Sequence, residues 1–326
     1  MVLAVIDVGT NTVRLLVAES DGRGGYLPLF ASQEITRLGQ GLLPDRELRP
    51  EPTQRTIHVL RQFREEAEAR GAIRTLAVGT SALREATNRT AFLSRAREQA
   101  GLEISVISGE EEARLTLLGV RAGLSRAPAR LVMMDIGGGS TELLLADGAR
   151  ILTMVSTGLG VVKLTERFLR TDPPTQVELA AMGEAAVLRL TRVRTETFRD
   201  ISPQDVFVGT AGTVTTLAAI DLRLAPYDPD RVTGHELTRA RVASLTRELA
   251  LLPLADRRQV RGLEPARADV IVAGAVICLA AMDALGFSRL TVSDGGLREG
   301  ILIDLIQRLA IPPDPAGLPA PPCQKT

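Results

Sequence analysis

The sequence predicts a duplicated α/β fold, two related domains around a shared cleft. Three observations predict it. Residues 6–18 align with residues 134–146 at an offset of 128, with Asp, Gly, Leu, Leu and Ala coinciding. Val78-Gly79-Thr80-Ser81 aligns with Val208-Gly209-Thr210-Ala211 at an offset of 130. Val106-Ile107-Ser108-Gly109 and Val292-Ser293-Asp294-Gly295 follow in the same order at an offset of 186. The larger third offset places an insertion in the second half, around residues 220–265. One such match means little, but three in one order indicate an internal repeat.

The elements follow in order. Residues 3–18 hold two short apolar runs, the second carrying Val13, Leu15, Leu16 and Val17, around a Gly9-Thr10-Asn11-Thr12 loop. That is the pattern of a β-hairpin. Residues 53–70 put Thr53, Ile57, Leu60, Phe63 and Ala67 on one helical face, which Gly71 ends. Residues 73–78 read as a strand, 88–99 as a helix and 104–107 as a strand before a helix from Glu110. Residues 131–135 open a second hairpin around Gly137-Gly138-Gly139-Ser140. Helices are expected near 161–170 and 175–195, a strand at 206–208, and a helical region over 238–285 broken at Pro253 and Pro265. A strand at 290–292 leads through Asp294-Gly295-Gly296 into a helix to Leu309. The expected domains are 1–121 and 122–298, with the helix 299–311 returning to the first. Residues 312–326 carry six prolines and are expected to be a disordered tail.

Composition narrows the function. The chain has 326 residues, about two domains at roughly 150 residues each. Its 39 basic and 39 acidic residues cancel, which excludes a generally polybasic nucleic-acid or membrane binder. Aromatics are 3% and Trp is absent, which argues against a base-stacking surface. Cys278 and Cys323 make no disulfide framework or zinc cluster. His58 and His235 lie far apart. The N-terminus lacks a basic leader and Asp7 interrupts its apolar run, unlike a signal peptide. The apolar stretch 270–282 is 13 residues long, too short for a bilayer, and reads as a buried helix. The expected location is cytoplasmic, with no nucleic-acid or membrane partner. Only Lys163 and Lys325 are lysines, so 39 − 2 = 37 residues are arginine and phosphate contacts fall to arginine or backbone.

The glycine loops point to phosphate. Asp7-x-Gly9-Thr10-Asn11-Thr12 and Asp135-x-Gly137-Gly138-Gly139-Ser140-Thr141 let backbone N–H groups approach an anion, and the hydroxyls add donors. Each Asp then needs an intervening cation or water, because two like charges about 4 Å apart repel by roughly 4 kcal/mol at an effective dielectric of 20. Mg²⁺ is the natural bridge. Gly79-Thr80-Ser81 and Gly209-Thr210-Ala211-Gly212-Thr213 lead into helices whose starts suit anions, with Arg84 one turn further on. Ser108 and Glu111 match a capping box, which explains Glu110 and Glu111 better than Glu112. A cleft glutamate suits a general base, but spacing does not choose among the three. Glu142 directly follows the second loop. His235, Lys163 and the turn at Asp294 carry weaker signals and read as a helix start, a solvated face and structural closure.

Asp7 to Thr12, Ser108 to Leu115, Asp135 to Glu142, and Ser293 to Gly300 together resemble the exopolyphosphatase/guanosine pentaphosphatase (Ppx/GppA) family, over about residues 1–310. Arg267-Ala268-Asp269 fits as well. The resemblance implies the two-domain fold shared by actin, Hsp70 and the sugar kinases, and Mg²⁺-dependent hydrolysis of terminal phosphate from polyphosphate or pppGpp. It implies Glu112 as catalytic base, with Glu142 helping to hold metal or the attacking water beside Asp7 and Asp135. It implies phosphate contacts from both loops, from Arg84 and Arg267, and from Gly209, Thr210, Gly212 and Thr213. Longer members carry extra C-terminal helical domains, which this chain replaces with the Pro-rich segment, so shorter polyphosphate is the expected substrate. The alternatives are a pppGpp phosphohydrolase, a small-metabolite kinase of the same fold and a non-catalytic sensor of pppGpp or ppGpp. A homodimer is the other partner to be weighed.

Overall fold

The structure is a computed structural model that describes residues 1–22, 24–202 and 204–310. The Pro-rich segment expected at 312–326, and Cys323 with it, lies outside the described residues. The first lobe is built on β1 (Val2–Val8), β2 (Val13–Ser20), β3 (Tyr26–Glu34), β4 (Arg74–Gly79) and β5 (Ile104–Val106), with helices α1 (Pro50–Ala69), α2 (Ser81–Glu85), α3 (Arg89–Arg95) and α4 (Gly109–Gly123). The second is built on β6 (Arg130–Ile136), β7 (Thr141–Asp147), β8 (Arg150–Ser156), β9 (Val206–Thr210), β10 (Glu236–Thr238) and β11 (Arg289–Val292). Its helices are α5 (Val161–Phe168), α6 (Gln176–Glu196), α7 (Ala211–Asp221), α8 (Pro229–Val232), α9 (Arg239–Leu251), α10 (Leu254–Arg257), α11 (Ile271–Leu285) and α12 (Leu297–Ala310).

The duplication is visible in the sheets. The first runs β3-β2-β1-β4-β5 and the second β8-β7-β6-β9-β11, with β10 added at its edge. In each, an antiparallel meander is continued by two parallel strands. This is the two-lobed plan expected of the actin, Hsp70 and sugar-kinase type. The added β10, α8, α9 and α10 fall in or beside the insertion that the third offset implied.

Three strands escaped the sequence reading: the short edge strand β10, and β3 and β8. β3 and β8 are outer strands of their meanders, and their side chains are mostly exposed or half-buried, so neither shows a clean apolar run. The buried helix expected at 270–282 is α11, apolar around its circumference and packed against α6 and α9. Among the described residues no helix is long and apolar enough to cross a membrane. The Ser108 cap is half of the expected box: its hydroxyl accepts from Glu111 N at 3.1 Å, but the Glu111 carboxylate turns to Arg114. A full box forms instead at Thr175 and Glu178.

The helices next to the cleft are crossed between lobes. α4 buries Ala113, Leu117 and Val120 against Leu131, Met133, Leu144 and Val208 of the second sheet. α12 returns to bury Leu297, Ile301, Leu302 and Leu305 against Leu3, Val5, Leu16 and Val78 of the first. They cross at glycines. A Cβ on Gly119 would lie 2.0 Å from the Gly296 carbonyl oxygen, and one on Gly300 would lie 1.7 Å from that of Leu115. No other residue allows so close a backbone approach. The crossing fixes the N-terminal turn of α4, and with it Glu112, between the lobes.

Candidate active site

Each β-hairpin ends in a tight loop of the same construction. Gly9 N donates to Thr12 O at 3.0 Å, and Gly137 N donates to Ser140 O at 2.9 Å. A Cβ on Gly9 would lie 2.8 Å from Thr12 O. The backs of the loops are pinned. Arg37 N and Gly39 N donate to Asn11 O and Thr10 O, while Val161 N and Val162 N at the start of α5 donate to Gly137 O and Gly138 O. The loops meet across the cleft. A Cβ on Gly138 would stand 3.1 Å from Asn11 and Thr10, and one on Gly139 would stand 2.8 Å from Ser81 Oγ. Together they border a cavity of about 90 Å³.

Carboxylates line that cavity. Asp7, Asp135, Glu112 and Glu142 all face it. Asp7 is 4% exposed, and its Oδ1 has no hydrogen-bond partner. Its other oxygen lies 3.6 Å from Arg14, its cross-strand partner. Burial raises the Asp7 pKa, and Arg14 only partly offsets that. Asp135 has Glu142 as its cross-strand partner. Burial first, then the Glu142 charge, pushes Asp135 up to about 7. Glu142 is raised by burial, although Ser140 Oγ and Ser156 Oγ donate to its Oε1 at 2.6 and 2.8 Å. Glu112 is pushed up to about 8 by burial and the Glu142 charge, against the pull of Arg84. Arg84 Nη1 donates to Glu112 Oε2 at 2.9 Å and to Ile107 O at 3.1 Å.

Most residues singled out in the sequence converge here. Gly9, Thr10, Asn11, Thr12, Gly137, Gly138, Gly139, Ser140, Gly212, Thr213 and Arg267 border the same cavity. Arg267 packs on the third glycine turn, where a Cβ on Gly212 would lie 1.9 Å from its guanidinium. In that turn Ala211 holds φ 66°, a conformation that favours glycine. Four residues lie apart: Arg84 reaches the cavity only through Glu112, and Thr141, Thr210 and Gly209 are held within the fold. Thr141 Oγ1 donates to Leu159 O at 2.6 Å and Thr210 Oγ1 to Gly295 O at 2.9 Å, so both hydroxyls are used inside the fold. Gly209 lies within β9, where a Cβ would meet Val214 at 2.9 Å. Lys163 pairs with Glu85 at 2.9 Å, His235 with Asp221 at 2.8 Å, and Asp294 with the Tyr227 hydroxyl.

Arg14 and Ser156 were missed. The repeat held the signal for Arg14: it occupies the position of Glu142 at the offset of 128, and a hairpin with Asp7 at its closing end puts Arg14 opposite. Ser156 lies on the unrecognised β8, opposite Glu142.

The residues suit a hard divalent cation. Asp7 is a buried and Asp135 a half-buried oxygen donor, and the unpartnered Asp7 Oδ1 is the sort of atom a cation or its bound water satisfies. Among the described residues no group of three His, Cys, Asp or Glu forms a ready metal cage.

A second cavity of about 640 Å³ adjoins the first through Arg14, Asp135, Gly212 and Arg267. Leu224, Pro226, Tyr227 and Leu263 make its apolar wall, and Asp294 and Glu299 add negative charge.

The family model described as the Ppx/GppA phosphatase family matches residues 16–309. The chain is 33% identical over 318 residues to exopolyphosphatase 2 of Mycobacterium tuberculosis, covering 93% of this chain and 98% of that one. It is 30% identical over 303 residues to exopolyphosphatase 1 of Mycobacterium leprae, covering 93% and 89%. Among solved structures, the Aquifex aeolicus Ppx/GppA family member superposes with a TM-score of 0.78 at 33% identity, covering 95% and 98%. An exopolyphosphatase-like protein superposes at 0.84 with 31% identity, covering 95% and 99%.

Proposed function

The chain belongs to the Ppx/GppA phosphatase family, and from that premise we propose that it is an exopolyphosphatase, releasing terminal phosphate from inorganic polyphosphate by a water-mediated step in the interlobe cavity. One observation carries the reading. Two glycine loops from equivalent hairpins face each other, with Glu112 held at their junction by Arg84.

The residues divide the work. Loop N–H groups, including that of Ser140, and the hydroxyls of Thr10 and Thr12 bind the terminal phosphoryl oxygens. Arg267 adds positive charge from the third glycine turn. Glu112 is the general base: Arg84 fixes one of its oxygens, and its raised pKa lets it take a proton near neutral pH. Ser140 and Ser156 hold Glu142 beside it to orient the attacking water. Asp7, Asp135 and Glu142 are the residues to hold Mg²⁺, directly or through water. When bound, the cation neutralises charge on the phosphoryl oxygens as the bond to the leaving phosphate breaks. Asp7, Thr10, Thr12 and Glu142 are themselves buried, which strengthens their interactions with a bound phosphoryl group.

Neutral net charge suits a local anion site rather than a long basic channel, so shorter chains are the preferred substrate. The adjoining 640 Å³ cavity favours a second reading, pppGpp hydrolysis, because its size and apolar wall suit a nucleoside. The functional domain division lies near residue 122, with α12 serving the first lobe.

The test is phosphate release by purified protein from short polyphosphate, long polyphosphate and pppGpp, with Mg²⁺ and with chelator. Release from polyphosphate that Glu112→Gln abolishes supports the first reading. Release from pppGpp alone moves the activity to the second. No release from any of the three refutes both.

A further inference from the structure

The two glycine loops touch across the cleft, so the width of the cavity between them depends on how closely the lobes approach. We propose that Arg37 is a positioning residue that couples the seat of the first glycine loop to closure of the lobes. This rests on reading the cavity as the phosphate site.

Residues 37–39 form a strap behind the loop. Arg37 N donates to Asn11 O at 2.9 Å and Gly39 N to Thr10 O at 2.8 Å. A Cβ on Gly39 would lie 2.3 Å from Thr10 Cγ2, so strap and loop are packed without slack. The Arg37 side chain then crosses to the second lobe. Its Nη1 lies 2.6 Å from Asp269 Oδ2, and its Nη2 donates to Ala266 O at 3.2 Å. Those partners flank Arg267, which borders the cavity, and stand just ahead of α11, a buried helix of the second lobe.

Two further observations support this role. Arg37 holds φ 54°, an unfavourable conformation for a long side chain, which persists where the surroundings impose it. The second oxygen of Asp269 is buried with no hydrogen-bond partner, so its carboxylate depends on Arg37. Gln33, on β3, joins the same seam: Gln33 Nε2 donates to Glu264 Oε2 at 3.0 Å, and Arg267 Nη2 donates to Gln33 Oε1 at 3.2 Å. Closing the lobes thus draws on the strap, and the strap sets Thr10 and Asn11. Losing the latch lowers the population of the binding-competent form, which weakens apparent affinity without touching the reacting atoms.

The experiment compares wild type, Arg37→Ala, Arg37→Lys and Asp269→Asn as full chains. Amide hydrogen exchange over residues 9–12 and 36–42 is measured without substrate, and phosphate release from tripolyphosphate is measured with Mg²⁺. Arg37→Ala is expected to speed exchange in both segments and raise KM about fivefold with kcat within about twofold. Arg37→Lys restores part of the KM, since an ammonium serves Asp269 but not the Ala266 carbonyl as well. Asp269→Asn, which removes the charge without truncation, moves KM the same way and stands in should Arg37→Ala fold poorly. Unchanged exchange and KM overturn the proposal. A fall in kcat at constant KM also overturns it, because that assigns Arg37 to the chemistry. Should wild type release no phosphate, the proposed activity fails by itself. Exchange then still decides: acceleration at 9–12 in Arg37→Ala supports the coupling, and wild-type protection refutes it.

Discussion

Glu112→Gln separates chemistry from fold because it acts on both in opposite directions. The amide keeps the shape and an oxygen for Arg84 Nη1, which now bonds Glu112 Oε2 at 2.9 Å. It cannot accept the water's proton, so turnover is expected to fall by about 10²- to 10⁴-fold. Stability moves the other way. Burial and the Glu142 charge lift the Glu112 pKa from 4.5 to about 8. Across that window the folded state holds a proton that the unfolded chain has lost, so stability falls as pH rises. The slope at one such site is at most about 1.4 kcal/mol per pH unit. The stability is fully present below pH 4.5 and lost as pH passes through about 8. Gln has no such slope, so the variant is expected to gain on wild type with rising pH. The assays are phosphate release from tripolyphosphate with Mg²⁺, and denaturant unfolding in chelator, each at pH 5, 7 and 9. Near-normal turnover refutes the base assignment, and parallel stability curves refute the electrostatic account of the site.

Four further outcomes are expected. Gly300→Ala must move its Cβ from 1.7 to an ordinary 3.4 Å from the Leu115 oxygen, a retreat of 3.4 − 1.7 = 1.7 Å between two backbones; it should destabilise by about 1–3 kcal/mol or more, and a wild-type denaturation midpoint refutes the close crossing. Ser156→Ala removes one of two hydroxyl donors to Glu142 Oε1 and disfavours its charged form, so the acid limb of the pH–rate profile should move to higher pH; an unmoved limb separates Glu142 from the titration that governs rate. Divalent cation should stabilise wild type more at pH 8 than at pH 5, since Asp7 and Asp135 must be ionised to bind it, and Asp7→Asn should lose much of that gain in melting experiments. Arg84→Ala leaves Glu112 without its guanidinium partner, so the base should titrate higher and kcat fall by about tenfold or more at pH 7, and Arg84→Ala turnover equal to wild type removes Arg84 from the mechanism.

Much of the fold was legible because the chain repeats its punctuation. Asp7-x-Gly9 and Asp135-x-Gly137 mark equivalent hairpin ends, and Gly79 and Gly209 mark equivalent strand exits. These are backbone demands, and a sequence states them in single residues. β3 and β8 were not legible because outer strands bury little and need no apolar run. Glu111 shows another limit. Its spacing from Ser108 permits a capping box, but Arg114 and Arg308 offer the carboxylate a better partner than a backbone N–H. Thr141 and Thr210 show a third. Both stand in glycine-rich phosphate-like motifs, yet each hydroxyl is drawn into the fold by a carbonyl from a distant segment that spacing does not reveal.

The duplication makes two similar loops, but the chemistry needs them unlike. At the closing pair of the first hairpin, Arg14 stands opposite Asp7; at the same place in the second, Glu142 stands opposite Asp135. One difference between the repeats therefore replaces a charge-balanced pair with two carboxylates. On the first side a guanidinium lies 3.6 Å from the buried carboxylate and restrains its pKa. On the second a further carboxylate raises Asp135 to about 7 and faces Glu112. A phosphoryl group held between two positive loops would be bound without an acceptor for the water's proton. Between two negative loops it would be repelled. A charge-balanced side and an acidic side across one cavity give an anion-holding side and a proton-accepting side, and the crossed helix α4 delivers Glu112 to the boundary between them. Exchanging the pair by Arg14→Glu with Glu142→Arg should accordingly abolish turnover even if the fold survives, because Glu112 would then face a guanidinium that drives its pKa down and leaves it too weak a base.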